Sequence, residues 1–175
     1  MIRASRREAM MGALAVPTLA GLPQWRWQHG EASVLVHDAA LPAGRRFAAA
    51  GTARGATVVA LSGDRIRQAR RLLAGNPALV AGVSLAADAL LMEEVAREHG
   101  YVRVALFQGA AGACGMQECA AGWQALGRMA EGAGPNWIEA LADYAAKPRG
   151  AGQVADTAVA DDATAVLGWV LARKG

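Results

Sequence analysis

Polar residues that could carry out chemistry follow short apolar runs at four places in this chain. The candidates for binding a small ligand through a carboxylate, hydroxyl, amide or backbone N–H group are Asp38, Ser62, Gly63, Ser84, Gln108 and Gly109. The candidates for proton transfer, which imidazoles and carboxylates perform, are His37, Asp38 and Asp64. Such a set would suit acid–base chemistry on a small anionic or phosphorylated substrate.

Each candidate also has a structural interpretation. Ser62, Asp64 and Ser84 are of the residue types that cap helix N-termini, and Asp38 suits a turn or a cap. His37 at a strand end can simply pack or form a hydrogen bond. His37 and Asp38 do not form a catalytic relay, because neighbouring residues of a strand point to opposite faces.

Four apolar runs must position these residues. Residues 33–37, 57–61, 79–83 and 102–107 predict buried strands, and the runs begin 24, 22 and 23 residues apart. The intervals have room for a helix each, which is typical of βαβ units and a parallel sheet.

Helix boundaries fall between the predicted strands. Pro42 suits the first turn of a helix ending near Arg54, Asp64 can cap a second helix, and Ser84 can open a third that ends at Gly100. Because the strands are continuously apolar, both faces of the sheet should be buried. The pattern predicts a three-layer α/β sandwich with a mainly parallel sheet of four βα units. A flavodoxin-like 2-1-3-4 order and a Rossmann-like 3-2-1-4 order both fit, and ligands would bind at the carboxyl ends of the strands.

The alternation of predicted strands and helices ends after residue 107. Residues 108–122 are rich in Gly and Ala and predict an irregular segment, whereas 123–131 and 136–146 predict helices. Residues 165–172 favour a last strand at a sheet edge, with a helix as the alternative. Aromatic residues expected to pack this C-terminal part onto the sheet are Trp123, Trp137, Tyr144 and Trp169.

The two cysteines, Cys114 and Cys119, form a C-x4-C pair. In an oxidising compartment a close, even pair predicts a disulfide, and two free thiols are the alternative. A metal site is not expected, because His29, His37 and His99 are scattered along the chain.

The N-terminus has the pattern of an export signal. Basic residues that end at Arg7 precede an apolar run over 9–22, which is typical of a signal peptide. Ser5-Arg6-Arg7 resembles the opening of bacterial twin-arginine (Tat) signals, although Ala9 and Met10 stand where those signals usually have Phe and Leu. The resemblance implies a protein that folds in the cytoplasm and is exported to the periplasm. A Sec signal and a buried N-terminal helix are the alternatives.

Cleavage after residue 20 would divide the chain into three parts. Residues 1–20 form the signal, 21–31 form a tether that carries Trp25 and Trp27, and 32–175 form a single α/β domain. The 14-residue apolar run is too short to span a bilayer, so no stable membrane anchor is expected after cleavage.

Composition narrows the classes of partner. Hydrophobic residues make up 54% of the 175 residues but aromatics only 5%, so the core must rely on Leu, Val and Ala. Residues 1–20 carry three of the 18 basic and one of the 15 acidic residues, which leaves a net charge of +1 for the rest. That balance does not favour nucleic acid or an anionic membrane.

The sequence identifies no cofactor. The first predicted βα loop, 38–44, lacks a G-x-G-x-x-G pattern, and no Walker loop, G-x-S-x-G elbow, H-E-x-x-H or C-x-x-C-H motif is present. Since the Tat route exports proteins that fold with cofactors or partners, the leading hypothesis is a small exported accessory or binding subunit that travels with a protein partner. That partner would be a periplasmic redox enzyme.

Two other functions fit the same sequence. One is a periplasmic enzyme acting on a small anionic substrate at the strand ends, and the other is a small-ligand binding protein. Convergence of Asp38, Ser62, Ser84 and Gln108 on a deep pocket would favour these two. Helix capping by these residues, together with an exposed apolar patch, would favour the accessory subunit.

Overall fold

The computed structural model describes residues 33–110, 113–120, 123–146 and 166–174. The strands of this part are β1 (Ser33–His37), β2 (Thr57–Ala60), β3 (Leu79–Ser84), β4 (Tyr101–Ala110), β5 (Ala113–Cys119) and β6 (Val166–Arg173). The helices are α1 (Pro42–Ala53), α2 (Arg65–Ala74), α3 (Ala86–Glu98), α4 (Gln124–Ala133) and α5 (Trp137–Ala146). A 3-10 turn, Gly134–Asn136, joins α4 to α5.

The predicted alternation of strands and helices over residues 33–107 is confirmed. Pro42 occupies the first turn of α1, and Asp64 caps α2 with its side chain. Gly55, just after α1, has a φ of +74°, the left-handed conformation that glycine adopts without a steric cost. Both predicted C-terminal helices, α4 and α5, are also present.

The prediction of a mainly parallel sheet is wrong, because the sheet is mixed. Its order is β2-β1-β3-β6-β4-β5. The β2–β1 and β1–β3 pairs are parallel, whereas β3–β6, β6–β4 and β4–β5 are antiparallel. The first three strands follow the 2-1-3 part of the flavodoxin-like order, but β4 is separated from β3. The α/β class is therefore confirmed, and neither of the two predicted strand orders is.

Each antiparallel pair includes β5 or β6, the two strands from the C-terminal third of the chain. β4 continues three residues beyond its predicted end and pairs with β5, so a hairpin occupies the segment that was expected to be irregular. β6 is a strand, as favoured, but it lies in the centre of the sheet rather than at an edge.

Two Trp–Gly pairs show how β6 packs against β3 and α5. Trp169 of β6 lies opposite Gly82 of β3, and a Cβ atom at Gly82 would overlap the indole ring. On the other face, Gly168 leaves room for Trp137 of α5 in the same way. Because each ring occupies the space of a missing side chain, these two glycines allow the sheet and its helices to pack closely.

Helices cover both faces of the sheet. The face called here the α5 face carries α1, α4 and α5, whose core residues include Phe47, Leu126 and Leu141. The opposite face, called the α3 face, carries α2 and α3, which pack Leu73 and Met92 against the strands. Successive strand residues alternate between the two cores, as in any pleated sheet buried on both faces.

Two ion pairs join α1 to α5 on the α5 face. Arg46 Nε donates to Glu139 Oε1 at 2.6 Å, and its Nη2 donates to Glu139 Oε2 at 2.8 Å. Arg54 makes the same two-pronged contact with Asp143, at 2.9 and 2.5 Å. Paired N–H···O bonds of this kind fix orientation as well as distance, so they lock the two helices together.

No helix within the described ranges combines the length and apolar character needed to cross a membrane. The predicted signal peptide and the tether lie outside the described residues.

Candidate functional site

The carboxyl ends of β1 and β3 form the point where a ligand crevice is expected in this fold. The two strands are parallel neighbours, with His37 aligned to Val83. α1 leaves β1 toward the α5 face, whereas α3 leaves β3 toward the α3 face. Helices that diverge from adjacent strands open a crevice between them, the usual place for ligands in α/β sheets.

Asp38 is buried at this point, and its polar groups organise the turn into α1. Its Oδ1 accepts a hydrogen bond from the Ala40 N–H at 2.9 Å, and its carbonyl oxygen accepts one from the Leu41 N–H at 3.2 Å. Its own N–H donates to the Val83 carbonyl at 3.1 Å, which extends the β1–β3 ladder. Gly44 is required nearby, because a Cβ there would overlap the Asp38 carbonyl.

His37 is the polar side chain at the crevice that the fold does not use. Its Nδ1 is buried and has no hydrogen-bond partner in the described part of the chain. Burial lowers the pKa of His37 from its usual value of 6.5, and the neighbouring Asp38 carboxylate partly opposes the shift. The ring is therefore neutral at pH 7, the form that can accept a proton.

Ser62 and Gly63 lie in the exposed turn after β2. The Ser62 N–H donates to Gln68 Oε1 at 3.0 Å, and Gln68 Nε2 donates to the Ala60 carbonyl at 2.6 Å. Gly63 has a φ of +60°, a left-handed conformation that glycine adopts easily, so its role is to allow the turn. Gln68, one helical turn into α2, is the residue that organises this loop.

Asp64 is the N-cap of α2. Its Oδ1 accepts a hydrogen bond from the Arg67 N–H at 3.0 Å, and that bond is the main reason why the pKa of Asp64 is lowered. The structural interpretation of Asp64 is thus confirmed.

Ser84 is fully buried and is the last residue of β3, so its expected role as a helix cap is wrong. Its Oγ accepts a hydrogen bond from Trp169 Nε1 at 3.0 Å and donates to the Leu85 carbonyl at 3.1 Å. Leu85 is the N-cap residue of α3 instead, and it provides no side-chain cap. The pairing of Ser84 with Trp169 could not be foreseen, because it depends on β6 lying beside β3.

Gln108 and Gly109 belong to β4 rather than to a loop after it. Gln108 is aligned with Leu167 of β6 and Gly109 with Val166. Since β6 separates β4 from β3, these residues lie about 10 Å or more from the end of β3, two strand spacings away. The structure thus brings His37, Asp38 and Ser84 together and leaves Gln108 and Gly109 apart from them.

The predicted disulfide is not seen. Cys119 has a free thiol, and burial is the main cause of its raised pKa. Cys114 lies on the same strand, and its side chain is outside the described residues. Five residues of extended strand span roughly 16 Å, whereas a disulfide needs Cα atoms within about 7 Å. The backbone of β5 therefore does not favour a bridge.

Among the described residues, the large exposed apolar side chains lie mainly on α2, on α3 and at the N-cap of α3, where the sequence had predicted no site. Ile66, Leu85, Leu90 and Leu91 are all exposed, Leu90 to 57%. Leu90 also lines a groove of about 130 Å³ between α3 and strands β4 and β6. The sequence contained a signal for this exposure. Leu90, Leu91 and Met92 are consecutive, and one face of a helix cannot bury three consecutive side chains.

A second cavity, of about 400 Å³, lies along the first half of β4, and its lining includes Arg97, Arg103 and Cys119. Glu93 pairs with both arginines, at 2.6 Å from Arg103 and 3.5 Å from Arg97. The arginines are thus compensated within the protein, which weakens any attraction for an anion.

Within the ranges that the structure describes, no three His, Cys, Asp or Glu side chains are grouped so that they could hold a metal ion.

Comparison with known proteins finds no matching family model, no matching curated protein and no matching solved structure.

Proposed function

We propose that this chain is an exported accessory subunit that binds a protein partner through the outer side of α2 and α3. The observation that carries the proposal is the exposed apolar surface there, formed by Ile66, Leu85 and Leu91. Large apolar side chains that stay exposed on neighbouring helices are typical of a protein-binding surface.

The roles of the strand-end residues support the same proposal. Asp38, Gly63 and Asp64 serve turns and a helix cap, and Ser84 holds Trp169. Export to the periplasm and association with a redox enzyme follow from the Tat-like N-terminus alone, so they are the part of the proposal that depends on sequence.

Native mass spectrometry of the protein recovered from its own periplasm tests this function. We expect the wild-type chain to carry the extra mass of a partner chain, and the Leu91→Glu variant to lose it. Val102→Glu is the matched control, because Val102 is exposed to a similar extent, 41% against 39%, but lies on β4. A bare wild-type chain, or equal loss in both variants, would contradict the proposal.

A small-anion site at the β1–β3 crevice is a second candidate function, favoured by the unpartnered Nδ1 of His37. The N-cap residue of α3, Leu85, supplies no side-chain cap, so the first backbone N–H groups of α3 could contact an anion. His37 could then act as the base of an enzyme or as a ligand contact.

Titration with inorganic phosphate, followed by NMR of the histidine rings, separates the two functions. An anion site would shift the signals of His37 and leave those of His99, which is exposed at the end of α3, unchanged. The His37→Gln variant should then lose phosphate binding, whereas His99→Gln should keep it. Equal shifts of both rings would exclude a site at the crevice.

A further inference from the structure

The two faces of the sheet are not equally covered near β4 and β5. The helical segments that contact β5 are α4 and the 3-10 turn, both on the α5 face. On the α3 face, α3 is the described helix nearest to β4. The strip of sheet beyond α3 therefore has a helix on only one side in the described part of the chain.

The groove along α3 marks this strip. Its large apolar lining residues are Leu90 of α3, Leu106 of β4, and Leu167, Trp169 and Leu171 of β6. Leu106 and Leu167 are only partly buried, and Leu90 is mostly exposed. Filling such a groove with another apolar side chain removes apolar surface from water, which is favourable.

The charged lining of the groove is compatible with an aromatic occupant. Arg103 lines the groove, and its Nη1 donates to Glu93 at 2.6 Å. A guanidinium can stack on an indole ring. The groove volume, about 130 Å³, suits a single large side chain rather than a whole helix.

The chain that precedes β1 can reach this groove. Ser33 is aligned with Leu79 of β3, and Leu79 with Ala172 of β6. Ser33 thus lies about 10 Å, two strand spacings, from β6 at the end of the groove formed by Leu171. Trp27 precedes Ser33 by six residues, a length of chain that spans up to about 20 Å.

We propose that residues 21–32 fold back along the α3 face and place Trp27 in the groove between α3, β4 and β6. Trp25 lies two residues earlier and, in an extended segment, points to the same side, so it would cover Leu90 beside Trp27. The occupant of the groove is then a segment of this chain, and the outer side of α2 and α3 stays free for a partner.

The connection between α5 and β6 is a weaker occupant. Residues 147–165 contain no aromatic side chain and include three aspartates, so they offer little to an apolar groove. Residues 21–32 contain two tryptophans, which suit an apolar groove.

Limited trypsin digestion of the full chain, followed by mass spectrometry, tests the proposal. Arg26 is the only tryptic site in residues 21–32, so the rate of cleavage after Arg26 reports whether the segment is covered. We expect Leu90→Glu to raise this rate at least about tenfold, toward that of a synthetic peptide of residues 21–32, because cleavage follows the population of the open form. Leu91→Glu is the matched control and should leave the rate unchanged, since Leu91 does not line the groove.

Three outcomes would overturn the proposal. One is cleavage of the wild-type chain as fast as the free peptide. Another is an equal effect of Leu90→Glu and Leu91→Glu. The third is protection that increases with protein concentration, which would assign the groove to a second copy of the chain. Leu90 is mostly exposed, so the Leu90→Glu variant should fold, and its circular dichroism and melting temperature verify that it does.

Discussion

The two faces of the sheet differ in how completely they are closed. The α5 face is covered by three helices, and two-pronged ion pairs hold α1 against α5. Within the described residues, the α3 face is covered by two helices, exposes four large apolar side chains on them or at the N-cap of α3, and leaves a groove beside α3. The α5 face is therefore the more completely closed of the two, and the surface proposed for binding lies on the α3 face.

The ion pairs follow the same division. On the α5 face, the Arg54 and Asp143 side chains are 34% and 11% exposed. On the α3 face, the Arg70–Glu98 pair spans 3.4 Å between side chains that are 58% and 62% exposed. Because water screens exposed charges, only the first kind should contribute measurably to stability.

Filling the space between β3 and β6 should have the largest effect. In the Gly82→Ala variant the new methyl group overlaps the Trp169 ring, so we expect a loss of about 2 kcal/mol in the free energy of unfolding. Urea denaturation measures the loss. Gly132→Ala in α4 is the control, because nothing lies within 4 Å of a Cβ there; it should stabilise the protein by about 0.5 kcal/mol.

The difference between the faces can be tested at the ion pairs. Asp143→Asn weakens a partly buried, two-pronged pair, and we expect it to lower the free energy of unfolding by about 1 kcal/mol. Glu98→Gln on the α3 face should cost roughly 0–0.5 kcal/mol. Equal losses in urea denaturation would mean that the two faces are held equally tightly.

The crevice at the end of β1 makes stability depend on pH. Because burial lowers the pKa of His37 in the folded state, the unfolded chain binds more protons between the folded value and 6.5. The contribution of the neutral ring is complete above pH 6.5 and is lost as pH falls below it. His37→Gln should flatten the acid side of a melting-temperature profile, and His99→Gln should not.

The smallest expected effect concerns the reactivity of the Cys119 thiol. Cys119 packs against the core of the α5 face. Burial raises the pKa of its thiol, so it should react with iodoacetamide more slowly in the folded protein than after denaturation. Mass spectrometry without reductant should then find both cysteines alkylated in the denatured chain. Failure to alkylate either one would restore the disulfide prediction.

Sequence reasoning succeeded where local signals decide structure. Pro42 and Asp64 marked helix starts correctly, and the apolar runs marked β1 to β4. It failed for Ser84, whose residue type suits a cap but whose hydroxyl is needed by Trp169, 85 residues away. At the candidate site it named His37 and Asp38, but it could not separate them from Gln108, because that depends on which strand lies beside β3.

The sequence by itself determined the alternation of strands and helices, the starts of α1 and α2 and the burial of the tryptophans within the described chain, because these depend on residue type and short-range periodicity. The tertiary structure alone decided that β6 pairs antiparallel with both β3 and β4. The physical reason is that the place of a strand depends on which residues fit it, here Gly82 of β3 against Trp169, and Trp137 of α5 against Gly168. That fit joins residues far apart in the chain, and no local pattern encodes it.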